Sequence, residues 1–293
     1  MDLNLNELKK EVRRSMQLTS PDYRLVAVFY LLLTTGVSLL FNLVAPTGEG
    51  TFSLFLSIAL SLYSVIIEFG YTLWSLWTHR RLDPGADSLI QGFSVTGRVI
   101  YLQISIFTRL FFMMFGIIFI CTFLTMLITE NPFAGMLVAL PTAYIAMYAL
   151  SLRYKFAPYL LADFPDLGPG VAIHRSVRLS RGWKMNWFKL DLSFLGWLLL
   201  SGALEVGAFL LCAGLTLDPS ALSAMDYQSM VNAVADLSAS TPVLLGTALV
   251  TLPLQIWLVP YRQVSFAALY DTRLKLAMQE GYSDPFSPLV PPV

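Results

Sequence analysis

Charged side chains are scarce in this sequence: Asp, Glu, Lys and Arg make up 13% of 293 residues, against about 25% in a typical soluble domain. With 56% of the chain hydrophobic, so few charges exclude an ordinary water-soluble protein and make lipid the solvent. The formal net charge is zero, so there is no basic excess to neutralise phosphates, and a nucleic-acid partner is excluded. Cysteine is limited to Cys121 and Cys212 and histidine to His79 and His174, which excludes a disulfide framework and a zinc site. Each cysteine lies in a hydrophobic segment near its expected outer end. The two could pair at similar depth, or pack as small apolar residues, the simpler reading. Enzyme signatures are missing as well: there is no HExxH, no GxSxG elbow, no Walker loop and no glycine-rich dinucleotide turn. No catalytic residue, metal or cofactor is therefore expected, and the chain is not expected to be an enzyme.

Long apolar runs dominate what remains. About 20 helical residues, rising ~1.5 Å each, cross the hydrocarbon. Six such runs stand out, at about 23–45, 51–77, 99–128, 133–161, 190–217 and 241–260. The expected fold is an all-α, polytopic membrane protein with three parts. These are a cytoplasmic amphipathic segment 1–22, a six-helix transmembrane domain 23–272 and a cytoplasmic tail 273–293. A helix is expected to continue along the membrane surface from Gln263 to Gln279, with Gly281 as its stop, and the prolines of SDPFSPLVPPV keep the end unstructured. In the first part Leu5, Leu8, Val12 and Met16 oppose Lys9, Lys10, Arg13 and Arg14, the pattern of a helix lying on a membrane surface. A cleavable signal peptide is not expected, because the apolar run that follows exceeds the roughly 7–15 residues of an h-region. Ser20, Pro21 and Asp22 supply a start signal for the first span, and Asn131 with Pro132 for the fourth. Pro141 and Pro158 are expected to kink the fourth. Between spans five and six, Met230, Val234 and Leu237 at helical spacing predict a short helix in the one sizeable outer loop.

The cations set the orientation. All 19 Lys and Arg residues fall in residues 1–24, 80–109, 153–189 and 262–275. The alternate segments hold only Glu49, Glu130, Asp218, Asp226 and Asp236. By the positive-inside rule both termini are expected in the cytoplasm.

The stretch from Arg153 to Leu200 joins spans four and five without a linker. Asp166 and Pro169 can start a helix and Gly182 can end it. Between them His174, Arg175, Arg178 and Arg181, continued by Lys184, form a cationic face opposite Ile173 and Val177. A basic amphipathic helix of this kind suits the inner leaflet, its cations toward anionic lipid headgroups or a protein partner. Trp183 and Trp187 fit an interfacial belt, and Asp191 suits the first turn of span five.

Three ionisable groups lie deep in spans: Glu68, Arg109 and Glu205. A charge in hydrocarbon costs several kcal/mol unless paired or wet. Glu68 and Arg109 fall at similar depth on antiparallel helices, which predicts an ion pair. Glu205, flanked by the small residues Ala203 and Gly207, lies nearer the outer side. A carboxyl in such surroundings is cheaper neutral than charged, which leaves a proton-coupling role open.

Placed on these spans, YLLADFPDLGPGVAIHRSVRLSRGWKMNWFKLDLSFLGW resembles the signature of the family known as domain of unknown function nine-seven-five. WLVPYRQVSFAALYDTRL resembles its second signature, and FGYTLWSLWTHRRLDPGADSLIQGF more weakly a third. Asp163, Pro165, Ala172, Ile173, Ser176, Gly182, Trp183, Asp191, Ser193, Phe194, Gly196 and Trp197 stand where the first pattern expects them. The chain departs from the family before Tyr154, where LPTAYIAMYAL replaces an Ile-Pro-Gly turn, and in a longer outer loop before the last span. The resemblance implies a multi-pass protein of the bacterial plasma membrane and brings no assigned activity. Two functions are therefore expected. One is a non-enzymatic protein binding other membrane components, lipid or protein, in assembly or envelope maintenance. The other is a small transporter or lipid-handling protein with a polar site at Glu68, Arg109 and Glu205. The sequence leaves the oligomeric state open.

Overall fold

The computed structural model describes residues 4–44, 51–128, 132–216 and 226–279, and among these the chain is helical with no strand. Helix α1 (Leu5–Leu18) starts at Asn4, whose side chain accepts from the Asn6 amide at 3.2 Å, satisfying one of the free donors of the first turn. Its stripe Leu8, Val12 and Met16 is buried. What covers that stripe is protein, not acyl chains. It packs on α4 (Thr51–His79) and on the last helix of the chain, so α1 is docked on the bundle rather than floating at a membrane surface. Two of its cations reach inward. Arg13 donates through Nε to the Tyr261 hydroxyl at 3.2 Å, and Lys9 stands 4.5 Å above the Phe194 ring. Burial pulls the Lys9 pKa below its ordinary value, with Arg13 adding to the effect.

The first span is α2 (Tyr23–Leu31), a π-helical turn Leu32–Gly36 and α3 (Val37–Val44). Its cap is Asp22, which accepts from the Arg24 amide at 3.0 Å. Helix α4 ends in a tight turn in which Arg81 (φ 58°) and Asp83 (φ 47°) adopt left-handed backbone, uncommon for residues with a Cβ. The turn sends the short α5 (Ser88–Gln91) and a 3-10 turn (Gly92–Val95) back along α4. There two glycines allow backbone to touch backbone. A Cβ on Gly70 would lie 2.1 Å from the Leu89 carbonyl oxygen, and one on Gly92 would lie 2.4 Å from that of Ile66.

Helix α6 (Thr96–Ile128) and α7 (Pro132–Ser151) form a long hairpin, and Pro132 does stand at the first helical position of α7. The fourth helix stops at Ser151, short of the expected Leu161. A turn follows, and Pro158, instead of kinking the span, sits in the first turn of a new helix, α8 (Ala157–Asp163), where a missing amide hydrogen costs nothing. Helix α9 (Pro169–Leu179) starts at Pro169 as the sequence predicts, and Gly182 (φ 76°) lies beyond its end. Helix α10 (Lys184–Leu192) is separated from α11 (Leu195–Thr216) by Ser193 and Phe194, so Asp191 sits in the last turn of α10 and not at the start of a span. The loop helix is present as α12 (Tyr227–Ala239), with Leu237 buried.

The last helix, α13 (Thr241–Gln279), is one unbroken element of 39 residues containing Pro253 and Pro260. At ~1.5 Å per residue it runs the height of the molecule. Beyond Tyr261 it is not a surface helix: Val264, Phe266 to Tyr270, Leu274 and Ala277 are buried. Around this half gather α1, the second half of α4, α8, α9 and α10, with Trp74, Trp187, Phe156 and Phe194 fully covered. The opposite halves of the long helices present Phe52, Phe55, Phe107, Phe112, Leu137, Leu199 and Leu211 outward, as expected where lipid supplies the packing. Five helices are long and apolar enough to cross a membrane, and Leu137–Ser151 is a shorter apolar one. The tail beyond Gln279 and the loops at 45–50, 129–131 and 217–225 lie outside the described residues.

Candidate functional site

Where α4, α8 and α13 meet, Arg80 joins two carboxylates. Its guanidinium donates to both oxygens of Asp163, at 2.6 and 2.9 Å, and to Oδ1 of Asp271, at 3.1 Å from Nε and 2.9 Å from Nη2. Lys275 Nζ lies 2.9 Å from Oδ2 of Asp271 and His79 Nε2 3.7 Å from it, while the Tyr270 hydroxyl donates to Asp163 at 3.0 Å. Both carboxylates are buried. Burial disfavours the Arg80 charge, but the bonds and charges of Asp163 and Asp271 outweigh it, and the Arg80 pKa is raised. Such a network of charge-assisted bonds locks three helices together. Both carboxylates and the guanidinium are engaged within it, and the one ring nitrogen left without a partner, Nδ1 of His79, is buried.

A second polar group lies on the same half of α13. Asp191 accepts from the Tyr148 hydroxyl at 2.9 Å and from Arg262 at 3.2 Å, and Gln263 donates to the Thr72 hydroxyl at 3.2 Å. Asp191 thus ties α7, α10 and α13 together. Glu68 faces Tyr30, Tyr159 and Lys155. Its side chain is exposed on α4.

The expected Glu68 to Arg109 ion pair does not form. The cation whose charge reaches Glu68 is Lys155. Arg109 is exposed on α6 beside Phe107, Phe111 and Phe112, because α6 turns that face away from α4. Arg109→Leu should therefore leave the thermal unfolding midpoint of the purified protein unchanged within about 1 °C, whereas a buried pair would lose several kcal/mol.

The basic helix α9 is present, but its cations are divided. His174 and Arg181 are exposed, Arg178 and Lys184 half-buried, and Arg175 is buried. Its other face, Ala172, Ile173, Ser176 and Leu179, is covered by protein, with Ser176 donating to the Arg153 carbonyl at 2.8 Å. Trp187 is not at a boundary: it is fully buried between Phe156 and Phe266, at ring distances of 5.2 and 5.0 Å. Trp183 lies half-buried with the Arg273 guanidinium 5.6 Å from its ring centre. Cys121 and Cys212 are not joined by a disulfide. Sequence reasoning misses Arg80, Tyr270, Asp271, Tyr148 and Arg262 as partners. The signal was nonetheless present: the three stretches that carry the family resemblance contribute Asp163, Tyr270 with Asp271, and His79 with Arg80 to a single cluster.

The third deep group, Glu205, is exposed on α11 and borders an open cavity of about 700 Å³ between the first span, α11 and α13, with Ser238 of α12 at its edge. Its wall is mainly Val28, Leu31, Leu32, Leu39, Val206, Phe209, Leu244 and Leu252, with Thr35, Thr247, Thr251 and Gln255 as further polar groups. The π-helical turn Leu32–Gly36 forms one side; such turns recur at functional sites because they leave the ladder irregular. Among the described residues no cation is within ion-pair distance of Glu205. Nor does any group of three or more His, Cys, Asp or Glu side chains there form a metal site.

Helical with no strand among its described residues, and with five helices long and apolar enough to cross a membrane, the chain has the character of a membrane protein. Residues 1–276 match the family described as Protein of unknown function (DUF975), and the chain belongs to that family. No curated protein and no solved structure matches it.

Proposed function

We propose that this is a non-enzymatic integral membrane protein that binds another membrane component, a lipid or lipid-like amphiphile, in envelope maintenance, and that the cavity beside Glu205 holds it. The carrying observation is the cavity itself. Its volume of about 700 Å³ falls within the range of small-molecule sites, roughly 300–1,000 Å³, and its mostly apolar wall suits a hydrocarbon chain. The charged clusters at the other half, by contrast, are engaged with one another. In this reading the chain crosses the bacterial plasma membrane six times, α7 supplying the sixth crossing beside the five longer helices. Both termini are cytoplasmic, since the cations gather at the end of the molecule that α1 and the end of α13 share. The exposed His174 and Arg181 of α9 meet anionic headgroups there.

Filling the cavity tests the proposal. Ala248→Phe places a ring in the wall, and is expected to remove amphiphile that co-purifies with the wild-type protein in mild detergent, as read by native mass spectrometry. The thermal midpoint should fall by no more than a few degrees. Equal amphiphile retention by the two proteins would refute the reading.

A further inference from the structure

Three of the hydroxyls in the cavity wall are already spent as donors. Thr247 and Thr251 donate their hydroxyl hydrogens back to their own helix, to the carbonyls of Val243 and Thr247, at 2.8 and 2.9 Å. Ser238 does the same to the Ala235 carbonyl at 2.7 Å. What each still offers is lone pairs. Pro253 has no amide hydrogen, so the Leu249 carbonyl, four residues earlier and also in the wall, lacks its helical donor. Glu205 adds a carboxylate that can only accept when ionised. The wall contains no Lys, Arg or His. Acceptors therefore outnumber donors, only the Thr35 hydroxyl and the Gln255 amide keeping hydrogens to give, and the one charge is negative and unpartnered. Glu205 is exposed, and where lipid rather than water surrounds it an unpaired carboxylate is costly; a hydrogen-bond donor that brings a positive charge relieves that cost most fully.

We infer that the ligand's polar head is an ammonium group, held by Glu205 with its hydrocarbon tail against the first span and α13. The inference rests on the cavity reading above and specifies its ligand. An anionic head, a phosphate without a compensating amine or a fatty-acid carboxylate, meets the like charge of Glu205 and more lone pairs than donors, and is disfavoured. Two sources share the recognised chemistry, an amine-headed phospholipid and a single-chain amine.

The test uses the full-length protein in nanodiscs of a choline-headed phospholipid, with a photoactivatable long-chain primary amine and the chain-matched alcohol as probes. Wild-type protein is expected to crosslink the amine with at least about tenfold higher apparent affinity than the alcohol, the factor that a charge-assisted bond supplies. Glu205→Gln should bring that ratio to about one with alcohol binding unchanged. An unchanged thermal midpoint would show that the variant is folded. Equal binding of the two probes to wild type, or an unaltered ratio in Glu205→Gln, overturns the inference and leaves the cavity reading standing. Binding of neither probe, or binding unaffected by Ala248→Phe, overturns both. Competition by an amine-headed phospholipid in the nanodisc assigns the site to a lipid; crosslinking that such a lipid does not reduce assigns it to the single-chain amine.

Discussion

Arg80→Met is expected to destabilise the protein by about 3–5 kcal/mol, the cost of leaving buried carboxylates without their cation. What each carboxylate retains sets the size of the loss. Asp271 keeps Lys275 at 2.9 Å, a residue whose own side chain is largely exposed, and His79 at 3.7 Å. Asp163 keeps only the Tyr270 hydroxyl among the bonds described for its side chain. Most of the loss should therefore come from Asp163. Pairing Arg80→Met with Asp163→Asn should recover a substantial part of it, because a neutral amide can still accept from Tyr270 and no longer carries an unmatched charge. Arg80→Lys should fall between, since an ammonium cannot reproduce the two-pronged contact with Asp163 and a bond to Asp271 at once. Thermal unfolding in detergent across these variants is the measurement. If Arg80→Met unfolded within a degree of wild type, the cluster would not be what holds α4, α8 and α13 together.

That cluster also marks the limit of what the chain could disclose before it was folded. Composition and apolar runs identify the medium, and with it the helical class, because lipid leaves a backbone no other partner than itself. Local signals worked where a single turn decides the outcome: Pro132 and Pro169 begin helices, and Met230, Val234 and Leu237 mark α12. They failed where tertiary packing overrides local pattern. An amphipathic stripe such as Leu8, Val12 and Met16 reads identically whether it meets acyl chains or α13, and only the fold decides. Trp187 illustrates the same ambiguity, as a tryptophan near a charged segment suits a boundary until Phe156 and Phe266 enclose it. Depth along a span, which suggested Glu68 with Arg109, says nothing about rotation around the helix axis. The Arg80–Asp163–Asp271 contact spans 83 and 191 residues of chain, a separation that periodicity does not encode. Glu205 was legible as an anomaly, but the cavity that gives it meaning is built by three helices distant in sequence.

Gly70→Ala and Gly92→Ala carry the other large expected effect, and its sign is the informative part. Inside an exposed helix a glycine-to-alanine change stabilises by roughly 0.5–1 kcal/mol, because alanine loses less backbone freedom on folding. At Gly70 the new methyl carbon would lie 2.1 Å from the Leu89 carbonyl oxygen, and at Gly92 2.4 Å from that of Ile66. Both obstacles are backbone, so no rotamer change relieves them; α5 and the turn after it must move away from α4. Leu89 is buried, and displacing it opens the core around Trp74 while the α4 turn that presents Arg80 shifts with it. Each substitution should therefore cost at least the ~1–3 kcal/mol typical of overpacking, with Gly70 the worse of the two because its contact is the closer. Gly116, in the exposed half of α6, is the control: nothing lies within 4 Å of its Cβ position, and Gly116→Ala should raise the thermal midpoint or leave it unchanged. A midpoint for Gly70→Ala at or above that of Gly116→Ala would mean that α5 does not lie against α4 at this distance. A fall confined to the Gly70 and Gly92 variants would place the backbone contact, rather than helix propensity, in control of how α4 hands the chain to α6.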